Sequence, residues 1–219
     1  SKFSEPDIAV ITNIGTAHIG LLGSKENITL AKCEITKFLN PNGTVIIPAN
    51  NLFLEETLSR FWKGKIIKVE LLEEEKTLDN FKKNNNLTGF YNRSKNSILI
   101  DDKFFDISLE GLHNASNFMF AYAVAKELGV NFKALNNFEF ATSEGRNRII
   151  KSLKTTIYDE SYNASPESVK ACIQNLLQRP KNHFIVLGSM QELGENSKIY
   201  HKEIFDLIHK SDIKKCLFI

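Results

Sequence analysis

The stretch Tyr158-Asp159-Glu160-Ser161-Tyr162-Asn163-Ala164-Ser165-Pro166-Glu167-Ser168 gathers carboxylates, phenols, an amide and hydroxyls where a strand turns into a helix. Such side chains can meet a nucleotide or a peptide. Asp159 and Glu160 end the strand, and Tyr162, Asn163 and Ser165 follow; Asn163 and Ser165 read equally well as a turn and a helix N-cap. Upstream, the run Ile11-Thr12-Asn13-Ile14-Gly15-Thr16-Ala17-His18 puts His18 just past the first strand. Open α/β sheets bind their ligands at that place. A neutral imidazole there can bind a divalent metal, or it is an ordinary loop histidine. Lys32 lies on the next helix beside Leu30, Ala31 and Ile35, which set it against the packed face, although a lone helix lysine is usually a solvated charge. Asn114, in Gly111-Leu112-His113-Asn114, reads as the N-cap of a long helix. Arg146 follows Gly145 at a break between elements, where a hinged guanidinium can close bidentately on a phosphate; Arg148 is a second candidate for that role. In the loop Leu187-Gly188-Ser189-Met190-Gln191-Glu192-Leu193-Gly194, Glu192 and the later His201 are further candidates, equally readable as part of a helix entry.

The elements that must position these groups alternate. Residues 7–14 form an apolar run bounded by Pro6 and Gly15, as a buried parallel strand does. Ser24 can cap a helix over 24–39, stopped by Pro41-Asn42-Gly43. Strands are expected at 44–48 and 65–69, with a helix over 51–62 between them that buries Leu52, Leu54, Leu58 and Phe61. Residues 82–86 read as a polar loop, and 97–109 as a hairpin around Asp101-Asp102. A helix over 115–128 closes at Gly129, a short helical segment lies near 133–138, and 143–146 reads as a linker. Then come strands at 155–158, 183–187 and 216–219, with helices over 165–177 (Ser165 as N-cap, Pro166 first) and 197–210. The pattern predicts an α/β fold: a parallel sheet with a small antiparallel patch over 1–144, then a Rossmann-like unit over 145–219 that lacks GxGxxG.

The bulk numbers exclude several classes. With 219 residues, 42% hydrophobic and 25% charged, the chain has the composition of a soluble globular protein. A net charge of +2, with Lys and Arg interleaved among Asp and Glu, gives no nucleic-acid stripe. No apolar run is long enough to span a membrane. Cys33, Cys172 and Cys216 are isolated, which predicts free thiols in a reducing cytoplasm.

Taken in order, these motifs resemble the Mur ligase family of peptidoglycan synthesis, and within it the branch that adds D-alanyl-D-alanine. The resemblance covers nearly the whole chain. It implies an ATP-dependent amide ligase of cell-wall construction that uses ATP and Mg2+, with UDP-N-acetylmuramoyl-tripeptide and D-alanyl-D-alanine as partners, cytoplasmic and monomeric. By the same resemblance, residues 1–144 are a central P-loop-type ATPase domain lacking its N-terminal part, and 145–219 a C-terminal ligase domain lacking its end. His18 and Lys32 would hold magnesium, Lys32 as a carbamate, and Lys32, His18 and Arg146 would be catalytic. Asn114 would contact adenine, Arg146 the ATP phosphates, and Asp159 and Glu160 the nucleotide. Asn13, Tyr162, Asn163 and Ser165 would face substrate. The chain departs from the family at Glu160, where a second aspartate is common, and at Ser189, where the branch has an aspartate.

The phosphate-cradling pattern GxxxxGK[ST] does not occur in these residues. With the apolar run 215–219 at its end, the chain reads as part of a longer protein, inactive by itself. Alternative readings are a sister Mur ligase, a folylpolyglutamate synthase-type ligase, or a non-catalytic nucleotide-binding module.

Overall fold

The computed structural model describes residues 2–73, 86–132, 143–180 and 182–219. Most of the polar loop expected at 82–86 and the short helix expected near 133–138 lie outside the described residues. Contacts divide the chain into two units, one of residues 1–14 and 26–139, the other of residues 15–25 and 140–219.

The first unit is a six-stranded sheet in sequential order: β1 (Ile8–Val10), β2 (Thr44–Pro48), β3 (Lys65–Glu73), β4 (Leu87–Asn92), β5 (Ser97–Ile100) and β6 (Lys103–Asp106). β1 to β4 run parallel, while β4, β5 and β6 pair antiparallel. The α/β class and the antiparallel patch are as expected, but β4 was not anticipated. Gly89 and Asn92 weaken its strand signal. The hairpin turns at Asp101 and Asp102 with φ of 47° and 58°, the left-handed pair that a two-residue turn requires.

β2 is out of solvent on both faces. Ile46 joins Val69, Tyr91, Ile98, Met119 and Phe120 on the side of α4 (Leu112–Glu127). Val45 and Ile47 join Cys33, Leu54, Leu58 and Trp62 on the side of α2 (Lys25–Cys33) and α3 (Leu52–Leu58). Each fully buried Leu or Ile contributes about 1.5–3 kcal/mol. Two expectations are corrected here. Leu52, the first residue of α3, is exposed at 74%, and Phe61 is exposed at 49% because the helix ends at Leu58, before Phe61 can reach its inner face. The helix after Ser24 ends at Cys33 and continues as a 3-10 turn, Glu34–Phe38, in which the Thr36 hydroxyl donates to the Cys33 carbonyl. β1 is shorter than expected, and Gly129 follows α4 with φ 67°.

The second unit holds α1 (Ile19–Leu22), the antiparallel pair β7 (Arg148–Lys151) and β8 (Thr156–Asp159), α5 (Pro166–Leu177), β9 (His183–Leu187), α6 (Ser197–His209) and β10 (Ile213–Phe218). β9 and β10 pair parallel, and Val169, Ile173, Met190, Leu193, Ile204 and Ile208 form the core beside them. α1 and β7 were not anticipated. β8 pairs with β7 and, among the described residues, not with β9. Cys33, Cys172 and Cys216 are free.

Two outcomes follow for stability. Leu54→Ala should destabilise the chain by about 2–5 kcal/mol in a denaturant titration, since Leu54 is 0% exposed and its site cannot refill. The second concerns Glu127, which takes hydrogen bonds from Lys65 and from the Thr44 hydroxyl; these hold its carboxyl below its ordinary value of 4.5. A depressed carboxylate stabilises the fold above its unfolded pKa, and that contribution is lost as pH falls through the folded value. Glu127→Gln should therefore be less stable than the parent at pH 7, and the gap should close below about pH 4.5 in thermal melts.

Candidate functional site

In the first unit, the residues following β1 carry Asn13, whose backbone carbonyl accepts a hydrogen bond from Lys32 Nζ at 2.8 Å. Lys32 sits in the last turn of α2, partly buried, and that burial holds its ammonium below the ordinary lysine range. The effect favours the neutral amine, the nucleophilic form of the side chain. Asn114 is not the N-cap. Gly111 takes that position with φ 106°, and Asn114 lies inside the first turn of α4, 7% exposed. Its Nδ2 donates to the Glu110 carbonyl at 2.8 Å. The amide thus serves the turn before the helix from within it, a geometry that an N-cap pattern in sequence does not distinguish from capping.

In the second unit, Arg146 and Tyr162 meet. The guanidinium carbon lies 3.9 Å above the centre of the Tyr162 ring, a cation–π stack. Gly145 brings them together: its carbonyl accepts the Tyr162 N–H at 3.0 Å, and its φ is 72°. Arg148, the alternative candidate, lies on β7 directly opposite Asp159. Asp159 Oδ1 accepts from the Ser161 hydroxyl at 2.6 Å and from the Ser161 N–H at 3.1 Å. The hydroxyl bond first, then the backbone bond and the Arg148 charge, hold its carboxyl low, so Asp159 is an anion at neutral pH.

Glu160 neighbours Cys172, whose thiol is pushed up to about 11 by burial and then by that carboxylate; the thiol is inert at neutral pH. Tyr162 is 64% exposed, and Asn163 is exposed with its side-chain oxygen accepting the Ala164 N–H at 2.8 Å. Ser165 caps α5 in a reciprocal box with Ser168, with Pro166 in the first turn. The expected cap is there, and it engages the Ser165 hydroxyl with the helix.

His18 also belongs to the second unit. It has a left-handed φ of 64°, and its Nδ1 is hydrogen-bonded to the Glu192 carboxylate. The Met190 N–H donates to His201 Nε2 at 3.0 Å, and His201 Nδ1 reaches the Ser197 carbonyl at 2.8 Å. His201 thus braces the turn that presents Glu192. Thr16 hydrogen-bonds to Glu167, a contact across 151 positions that no local pattern announces. Among the described residues no group of three or more His, Cys, Asp or Glu is gathered to hold a metal. The imidazole and carboxylate of His18 and Glu192 are two adjacent donors. The carboxylate offers oxygens, the ligand atoms a hard divalent cation takes, and the imidazole offers a nitrogen. No described helix is long and apolar enough to cross a membrane.

Residues 1–125 match the family model for the Mur ligase middle domain, and residues 145–219 that for the Mur ligase, glutamate ligase domain. The UDP-N-acetylmuramoyl-tripeptide–D-alanyl-D-alanine ligase of Synechocystis sp. is 34% identical over 207 residues, covering 93% of this chain and 43% of that protein. The Bacillus subtilis ligase of the same name is 32% identical over 226 residues, covering 98% and 46%. The chain thus spans less than half the length of these relatives. Among solved structures, the MurF ligase of Thermotoga maritima in complex with ADP aligns with a TM-score of 0.77 at 25% identity, over 99% of this chain and 53% of that one. MurF of Acinetobacter baumannii aligns with a TM-score of 0.79 at 26% identity, over 99% and 47%. With its two stretches matching two successive domains of one enzyme family, and a fold to match, the chain belongs to the Mur ligase family.

Proposed function

We propose that this chain forms the middle and C-terminal parts of an ATP-dependent ligase that joins D-alanyl-D-alanine to UDP-N-acetylmuramoyl-tripeptide, as a cytoplasmic monomer in peptidoglycan synthesis. The observation that carries this reading is the likeness to ligases of that name along nearly the full chain, at up to 34% identity.

The proposed reaction has two steps. A carboxylate oxygen of the tripeptide attacks the γ-phosphorus of ATP, and ADP leaves. The dipeptide amine then attacks the acyl phosphate, the tetrahedral adduct expels phosphate, and an amide remains. Both steps develop charge on phosphoryl oxygens, so positioned cations and donors carry much of the catalysis. Arg146 supplies such a cation, and its stack on Tyr162 holds the guanidinium plane while leaving its N–H fork to point at phosphate. Asp159 offers a fixed anion to hydroxyls of the nucleotide, with Glu160 next to it. Asn114, in the first turn of α4, is assigned to adenine, and Asn13, Tyr162, Asn163 and Ser165 are assigned to substrate. Mg2+, when bound, neutralises phosphate charge; His18 would hold it, with Lys32 as a carbamate. Lys32 suits that modification because burial favours its neutral amine.

In the full-length protein, phosphate release from ATP in the presence of UDP-N-acetylmuramoyl-tripeptide should depend on D-alanyl-D-alanine. Turnover with a single amino acid instead would move the protein to a sister ligase, and silence with every acceptor would favour a non-catalytic nucleotide-binding module. Arg146→Ala should lower kcat/KM by about 10- to 100-fold, the worth of one charge-assisted phosphate contact. An unchanged value would remove Arg146 from the phosphate site.

A further inference from the structure

Residues 15–25 leave the first unit after Ile14 and rejoin it at Glu26, and in between they are part of the second. Two separate anchors hold this segment. At its start the Glu167 carboxylate, in the first turn of α5, accepts the Thr16 N–H at 3.0 Å and the Thr16 hydroxyl at 2.9 Å to each oxygen. Thr16 is 2% exposed while Glu167 is exposed, so the bonds are covered on the threonine side. Four residues on, the Gly20 N–H donates to the Glu192 carbonyl at 2.8 Å, while the Glu192 side chain takes His18. The second anchor is a backbone-on-backbone contact. A Cβ on Gly20 would lie 2.6 Å from the Gly194 nitrogen, and one on Gly194 would lie 2.8 Å from the Gly20 Cα. Only a glycine at both places permits this approach.

We propose that Glu167 and the Glu192–Gly194 turn form a docking cradle for residues 16–20, and that Glu167 is a positioning residue that sets the place of His18. Among the described residues the Glu167 carboxylate bonds to Thr16, and it acts by fixing Thr16, two residues before His18. The positioning part rests on the ligase reading above, whereas the docking part stands by itself.

Hydrogen–deuterium exchange separates the two. In the full-length protein, Glu167→Ala should raise exchange at the Thr16 and Gly20 amides about tenfold or more, while the amides of α5 and β2 keep their protection. Thr16→Ser, which keeps both donors, should exchange like the parent. In the ligase assay Glu167→Ala should lower kcat about 10- to 100-fold with KM for ATP within about twofold, whereas Thr16→Ser alone should keep the parental rate. Unchanged exchange in Glu167→Ala would overturn the cradle. Raised exchange with unchanged kcat would overturn the positioning role. If the parent itself does not ligate, the ligase reading fails, and the exchange result still decides the cradle.

Discussion

Val45, Ile46 and Ile47 are wholly removed from water, with Ile46 turned to one helical layer and its two neighbours to the other. A strand with no solvent face needs a cover on each side, and the chain supplies α2 and α3 for one and α4 for the other. Parallel neighbours follow from the same need, because helices carried in the connections between strands are what cover a parallel sheet. β1, β2 and β3 therefore point one way, with α2 and α3 in the connections between them, and the residues leaving β1 emerge at a carboxyl end. That is where Asn13 lies, with Lys32 of α2 reaching its carbonyl. The meeting of Asn13 and Lys32 at this edge is thus a consequence of how β2 is buried.

The antiparallel patch is tied to that core through Asp101. The carboxylate of this turn residue accepts from the Tyr122 hydroxyl at 2.9 Å and from Lys126, both on α4. Burial, and then this bond, push the Tyr122 phenol up to about 12, so it stays a donor throughout the neutral range. Charge is handled differently in the second unit, where Arg146 and His18 are exposed, Asp159 is half-buried, and each is held by a neighbour: Arg146 by an aromatic face, Asp159 by Ser161, His18 by Glu192. Exposure leaves Arg146 and His18 able to meet a ligand. The partners restrict the directions these side chains take.

Local signals with a stiff physical cause could be read from the residues. The Ser165-Pro166 cap, the β2 and β9 boundaries and the hairpin around Asp101-Asp102 each depend on neighbours a few positions away. The failures have equally definite causes. β4 carries a glycine and an asparagine that mask its strand character. β7 has no apolar alternation that buries a face, being exposed throughout. Asn114 sits three residues past the true cap, because Gly111 and not a polar side chain opens α4. Phe61 falls outside α3, because the helix stops a turn early.

The linear chain alone determined the α/β class, the capping of α5 and the free thiols, and it offered the candidate side chains for a site. All of these arise from residue chemistry and from periods of two or three to four positions. Only the tertiary structure decided which of those side chains meet. The stack of Arg146 on Tyr162, the bond between His18 and Glu192, and the clamp of Glu167 on Thr16 span 16, 174 and 151 positions. Contacts at such separations are chosen by how whole elements pack, and packing is a property of all the buried surfaces together rather than of any stretch of sequence.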